Sequence, residues 1–343
     1  NYSSAGASNL TYENFQWYNL SLATPGTPAS GYSKWALFSL VGRANYAYND
    51  KYLLSAALRR DGSSKFQGSN KYSYFPSVSA GWVLSNEPFM QQVPAINNLK
   101  LRGSWGLTGN QAISPYSTLS SYSNIPASFN NNSHLVGLAM GNIGNPNLKW
   151  ETTEQKDVGI DIGLFKGRIN VTADYFIKDT RDLLLKETVP MYLGSNSITR
   201  NVGSVQNKGW EFAIEGDVLN ERAVTWNTGF NVSFNTNKVI SLGEGKTRIF
   251  DPNNWKIGGG MSPQSEFVVM PGQSIGAIWG LTYLGTWKPG DEKASEYGAK
   301  AGDSRYLDLN NSGTIDANDY HVIGTGIPKT SIGWNNTVAY KAF

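Results

Sequence analysis

The chain has 343 residues, with 29 Lys and Arg against 26 Asp and Glu, two His and no Cys. Without Cys it has no disulfide framework, thiol nucleophile or thiolate metal site, and a formal charge of +3 gives no broad electrostatic hold on nucleic acid. An aromatic content of 13% with 37 Gly and 14 Pro marks a β-rich chain, and no run reaches the roughly 20 apolar residues of a membrane helix. A transmembrane β-barrel stays open, because its alternating strands average out in a hydropathy window. His134 and His321 are too few for a multi-His metal centre.

Period-two alternation dominates in chain order. It predicts strands at about 35–48, 51–61, 72–84, 98–108, 152–164, 168–179, 205–219, 223–236 and 329–343. In the fourth, Leu99, Leu101, Trp105 and Leu107 oppose Lys100, Arg102, Ser104 and Thr108. In the sixth, Ile169, Val171, Ala173, Tyr175 and Ile177 oppose Arg168, Asn170, Thr172 and Asp174. Trp210, Phe212, Ile214 and Val218 oppose Glu211, Glu215 and Asp217, and Val224, Trp226, Phe230, Val232 and Phe234 oppose Thr225, Asn227, Asn231, Ser233 and Asn235. One face is apolar and the other polar. Most segments exceed the usual soluble strand and suit a tilted crossing of a bilayer, about 9 to 11 residues.

Joined as antiparallel neighbours, the nine strands have short links at 49–51, 165–167 and 220–222 and a medium one at 85–97, all on one side. The links at 62–71, 109–151, 180–204 and 237–328 fall on the other side and are mostly long. Outer-membrane barrels have this asymmetry, with short periplasmic turns and long extracellular loops. Ser274 to Trp287 also reads as a strand. Counting it as a crossing would put the C-terminal end on the wrong side, so it is expected within the outer excursion as a hairpin arm. Tyr46, Tyr48 and Tyr52 at the first short turn, with Tyr340 and Phe343 at the end, suit an interfacial aromatic girdle. Nine strands do not close a bacterial barrel, so the chain is expected to be part of a larger one, with residues beyond both ends.

The stretches RRDGSSKF (59–66), YFPSVSAGWVLSNEPFM (74–90), NNLKLRGSWGLTGNQAISPY (97–116), GNPNLKWETTEQKDVGIDIGLFKGRINVTADYF (144–176), NVGSVQNKGWEFAIEGDVL (201–219) and 302–343 resemble the SusC/RagA family of TonB-linked outer-membrane transporters. The resemblance implies an all-β fold, part of a large antiparallel transmembrane barrel of 22 strands in the family. It also implies import of oligosaccharides or peptides across the outer membrane of Bacteroidota-type bacteria, with an SusD-like lipoprotein capping the extracellular mouth. On that reading residues 1–343 are a partial barrel. The plug, the TonB box through which TonB would couple, and the closing strands are absent from it, and 237–328 is a long extracellular excursion.

Within that excursion Asp308, Asn310, Ser312, Thr314, Asp316 and Asp319, with Gly313 at the sixth position, copy the spacing of a calcium loop. Thr314 would offer its backbone carbonyl. Ser312 is neutral where a carboxylate is usual and Asp319 is shorter than the usual Glu, as in dockerin-like loops. One structural calcium ion, doing no catalysis, is one reading; a loop of Asx turns held by its own hydrogen bonds is the other. Arg59 to Ser64 reads either as an anion-binding turn or, more simply, as a loop starting at Asp61-Gly62. Asn110 marks a strand end in the same way. Glu211 and Glu215 suit an acid–base pair in an enzyme and plain polar lining in a barrel, and the barrel reading is preferred; no catalytic motif is present. Trp150, Trp255, Tyr283 and Trp287 in the long connections suit either stacking on a ligand or packing of the loops. The competing functional readings are a passive porin or adhesin barrel and a soluble carbohydrate-binding β-sandwich.

Overall fold

A computed structural model describes residues 2–4, 7–9, 24–25, 29–129, 133–195, 197–220, 223–243, 245–250 and 266–341. Nine strands form one sheet in which each pairs antiparallel with its neighbours in sequence: β1 Leu37–Tyr48, β2 Tyr52–Ser63, β3 Tyr72–Val83, β4 Ile96–Asn110, β5 Glu151–Leu164, β6 Ile169–Arg181, β7 Ser204–Asn220, β8 Val224–Ser241 and β9 Thr330–Tyr340. They are the nine expected segments. The largest boundary difference is at β8, which continues to Ser241 because Val239 pairs with Val205 and its N–H donates to the carbonyl of Gln273 (2.8 Å). The sequence pattern ends earlier because Asn235, Asn237 and Lys238 carry no apolar signal.

Turn chemistry fixes the short rim. Asn49 and Asp50 both adopt the left-handed conformation that a two-residue hairpin between right-twisted strands requires, and the N–H of Lys51 donates to the carbonyl of Tyr48 (3.0 Å). Phe165, Lys166 and Gly167 turn left-handed between β5 and β6. Glu221 and Arg222, in the third expected short link, lie outside the described residues, as does Phe343. The medium link carries two 3-10 turns, Leu84–Asn86 and Pro88–Gln92.

The register puts directly opposed residues on the same face. Tyr48, Tyr52, Trp82, Leu101 and Ile160 line up across five strands, and Phe212, Val232 and Ile332 across three. Among the described residues none covers this apolar face: Val158 is 64% exposed, Ile332 67% and Trp334 71%. Among the described residues the three clusters of buried apolar side chains all lie at the long-connection end. Phe66, Phe75, Ile113, Leu148 and Trp150 form one; Val205, Val239 and Leu242 the second; Val268, Ala277 and Trp279 the third. Leu107 departs from its expected companions on β4, being partly buried against the first cluster. A soluble sandwich would bury the apolar face of its sheet against a second layer. Here that face is bare over the strand midsections, and water would not tolerate a patch of this extent.

The long connections carry structure of their own. Ser121–Phe129 pairs with Ser133–Asn142, and Leu184–Thr188 with Ser197–Asn201. The last connection holds a four-stranded sheet of Ile249–Phe250, Phe267–Val269, Ala277–Gly280 and His321–Thr325, and a ribbon of Tyr283–Thr286 with Ser304–Tyr306. The segment 274–287 therefore lies outside the nine-stranded sheet, split into two short strands that join different partners. Its backbone also anchors to β8, where the N–H of Ile275 donates to Asn237 Oδ1 (2.8 Å).

Candidate functional site: a two-faced wall and its rims

The face opposite the apolar one is a polar surface knit by side-chain hydrogen bonds. Arg43 Nε donates to Asn45 Oδ1 (3.1 Å) and Ser55 Oγ (3.2 Å), and Arg59 holds Asp61 (2.7 Å) and Ser39 (3.2 Å). Arg102 on β4 meets three carboxylates, Asp157 (3.4 Å) and Asp161 (3.2 Å) on β5 and Asp174 (2.7 Å) on β6. A concave space of about 600 Å³ on this face is lined by residues including Arg43, Arg59, Ser77, Ser104 and Gln155. Glu211 and Glu215 lie on the same face. Four residues apart on one strand, they stand about 13 Å apart along the backbone, beyond the roughly 5 to 9.5 Å of paired glycosidase carboxylates. They serve as lining.

Arg59 and Arg60 point to opposite faces. Arg60 lies over the Tyr72 ring (4.3 Å to the centroid) on the apolar side, whereas Arg59 joins the polar network. The strand runs on to Ser63, so the anion-binding turn and the loop start at Asp61 both give way to continued β-pairing: Asp61 pairs with Ser39 and Ser73.

Aromatic residues bound the apolar face at both rims. At the short-turn rim Tyr48 stacks on Tyr52 (6.5 Å) and Tyr52 on Trp82 (6.2 Å), and Tyr340 is exposed. Glu87, from the turn after β3, accepts from Lys51 Nζ (3.0 Å), the Tyr52 hydroxyl (2.9 Å) and Trp82 Nε1 (3.1 Å). Those donors, Lys51 first, hold its carboxyl below the usual carboxylate range. The sequence carried no signal for this hub, because its members come together only through the β2–β3 register. Toward the long rim the aromatic row is Tyr175, Trp210 and Phe234, with the first two rings 4.8 Å apart. Eight residues separate Phe234 from Trp226, and Tyr74 from Trp82. That is about 27 Å along the strand and, at a barrel strand's tilt, roughly 20 Å along the membrane normal, within the ~25 Å apolar band of a transmembrane barrel.

The loop aromatics divide. Trp150 is buried between Phe66 and Phe75, and its Nε1 donates to the Lys71 carbonyl (3.2 Å). Trp287 is buried against Tyr297 and beneath Arg305. Both pack loops. Tyr283 is 58% exposed with one edge on Tyr306, and Trp255 lies outside the described residues.

The calcium-type loop is ordered by its own backbone donors. Asp308 accepts from the N–H groups of Gly313 (2.8 Å) and Ser312 (3.1 Å) and from the Tyr297 hydroxyl (2.9 Å). Desolvation opposes ionisation there, but these donors outweigh it and the Asp308 carboxyl titrates below its ordinary value. Asn310 Oδ1 also accepts from Ser312, and the Ser312 hydroxyl donates to the Thr314 carbonyl (3.0 Å). Asp316 caps Asn318 (2.7 Å). Asp319 is fully buried, and its two oxygens accept from Leu309 and Asp316, both at 2.8 Å. His321 bonds Thr282 (2.9 Å) and the Asp319 carbonyl (2.9 Å). Among the described residues no group of three His, Asp or Glu side chains is arranged to hold a metal ion.

Comparison with known proteins follows the same geometry. The family described as "TonB dependent receptor-like, beta-barrel" matches residues 1–340. The chain is 38% identical over 341 residues to TonB-dependent receptor P26 of Formosa agariphila, covering 98% of this chain and 34% of that protein. It is 29% identical over 311 residues to TonB-dependent receptor SusC of Bacteroides thetaiotaomicron, covering 90% of this chain and 30% of that one. Among solved structures, that of the RagAB peptide transporter superposes with a TM-score of 0.76 at 22% identity, covering 94% of this chain and 34% of its own; this likeness speaks for the fold. The chain thus spans about a third of the length of the relatives it matches. With an exposed apolar face, a polar face opposite and aromatic rims between, the chain belongs to the TonB-dependent receptor β-barrel family and forms part of an outer-membrane barrel wall.

Proposed function

We propose that this wall belongs to an active importer of oligosaccharides or peptides, energised by TonB through a plug region that lies outside this chain. The observation that carries the reading is the two-sidedness of the sheet: bare apolar residues outward, and an inward lining knit around Arg43, Arg59 and Arg102. Such a lining offers hydroxyl, amide and charged partners to a hydrated cargo. The long connections form the extracellular mouth, including the 237–328 excursion, and an SusD-like lipoprotein closes over them. The family match supports the TonB coupling, and the fold shared with the RagAB peptide transporter supports the conduit.

The same reading gives the 308–319 loop one structural calcium ion. Asp308, Asn310, Ser312 and the Thr314 carbonyl would hold it, with Asp316; the approach of Ser312 Oγ to the Thr314 carbonyl suits two oxygens sharing one ion. Asp319, which like Asp308 also accepts backbone N–H groups, completes the set; with neutral Asn310 and Ser312 among the ligands the charge count is low and the affinity is that of extracellular modules, about 0.1 to 1 mM. The test of the main proposal is uptake of labelled oligosaccharides and peptides by cells carrying the full-length protein, with and without TonB. Uptake of one class that ceases without TonB supports import. Uptake that persists identifies a passive porin.

A further inference from the structure

We infer that the apolar face ends, at the long-connection rim, in a cationic docking surface for the phosphorylated headgroup of an outer-leaflet glycolipid. The inference rests on the proposed outward orientation of that rim. The β5–β8 register places Lys156, Ile177, Lys208 and Thr236 in one row across four strands on the lipid side, directly above the aromatic row of Tyr175, Trp210 and Phe234. The next row holds Glu154, Asp179, Gln206 and Lys238, and Arg181 follows on β6. Four cations thus face two carboxylates.

The carboxylates are already taken up. Glu154 accepts from Trp105 Nε1 (2.8 Å) and pairs with Lys156 (3.1 Å) and Arg181 (3.5 Å), and Asp179 accepts from Gln206 Nε2 (2.8 Å). Lys208 and Lys238 are exposed and form no ion pair among the described residues. They are diagonal neighbours on one face, about 7 to 8 Å apart at the backbone, so both ammonium groups can reach one phosphate. The surface is continuous with the apolar band below, so a single amphiphile can lay acyl chains along Phe212, Val232 and Ile332 and present its phosphate to the two lysines. A soluble anion would gain the charge and none of the apolar contact.

The test is native mass spectrometry of the purified full-length protein with monophosphoryl lipid A as probe and phosphatidylcholine as the zwitterionic, net-neutral reference. The wild type should retain monophosphoryl lipid A in preference to phosphatidylcholine, and inorganic phosphate should not displace it. The Lys208→Gln/Lys238→Gln double variant should retain about tenfold less, Lys208→Arg/Lys238→Arg should match the wild type, and Lys100→Gln on the polar face should change nothing. Equal retention by the Gln variant, or release by inorganic phosphate, overturns the inference. TonB-independent uptake by the wild type would sink the import proposal while leaving these lipid results as they stand, so the two failures are told apart.

Discussion

Arg102 reaches across an intervening strand to Asp174: the guanidinium on β4 and the carboxylate on β6 meet at 2.7 Å above Gly159 of β5. A Cβ at Gly159 would lie 2.8 Å from the guanidinium carbon and would also strike the Asp174 side chain, so the absence of a side chain makes the bridge possible. Removing the cation leaves Asp157, Asp161 and Asp174 facing one another. Arg102→Ala should lower barrel stability by about 2 to 3 kcal/mol, and Gly159→Ala by about 1 to 3 kcal/mol, in urea unfolding from lipid vesicles.

Neighbouring positions on β8 should respond oppositely to one substitution. Val232 faces lipid between Phe212 and Ile332, whereas Asn231 lies on the polar face between Ala213 and Gly333. Val232→Arg should cost about 2 to 4 kcal/mol near the bilayer midplane and Asn231→Arg almost nothing. The assembled fraction, read as heat-modifiable mobility on gels, reports the difference.

Glu87 ties the short-turn rim to acid stability. Its folded carboxyl is depressed by Lys51, Trp82 and Tyr52, so the stability it contributes is present above the unfolded carboxylate value and is lost as pH falls through the folded one. Glu87→Gln should flatten the acid limb of a stability-against-pH curve by up to about one proton while leaving the neutral plateau's pH dependence unchanged. A limb of unaltered slope would exclude this role.

In the 308–319 loop, Asp319→Ala should strip the caps from Leu309 and Asp316 and raise amide exchange across 303–323, a local loss of about 1 to 3 kcal/mol. Millimolar calcium should protect the same amides in the wild type and not in Asp308→Ala. Equal exchange with and without calcium in the wild type would remove the ion and leave the hydrogen-bonded loop.

The nine strands were legible because a period of two is imposed by backbone geometry and amplified by two different solvents on the two faces, as along Phe230, Val232 and Phe234 against Asn231 and Ser233. Pairing in sequence order then followed from link lengths. The Arg102 and Glu87 hubs were not legible, since Lys51 and Tyr52 lie 36 and 35 residues from Glu87, and the three carboxylates 55 to 72 residues from Arg102, and they meet only through register. The same holds for Trp150, whose role as a packing residue depends on Phe66 and Phe75 arriving from other segments. Strands such as Ala277–Gly280 are too short for a period to show, and 274–287 read as one element where two exist.

If hydrocarbon touches every second residue of these strands, the alternation can be read residue by residue. The chain has no Cys, so single cysteines from Phe230 to Thr236 can be spin-labelled one at a time in the full-length protein in bilayers, given a cysteine-free background. Oxygen dissolved in lipid should relax labels at 230, 232 and 234, and a water-soluble nickel chelate those at 231, 233 and 235. Protection of the even positions from both relaxants, as in a packed protein interior, would contradict the account.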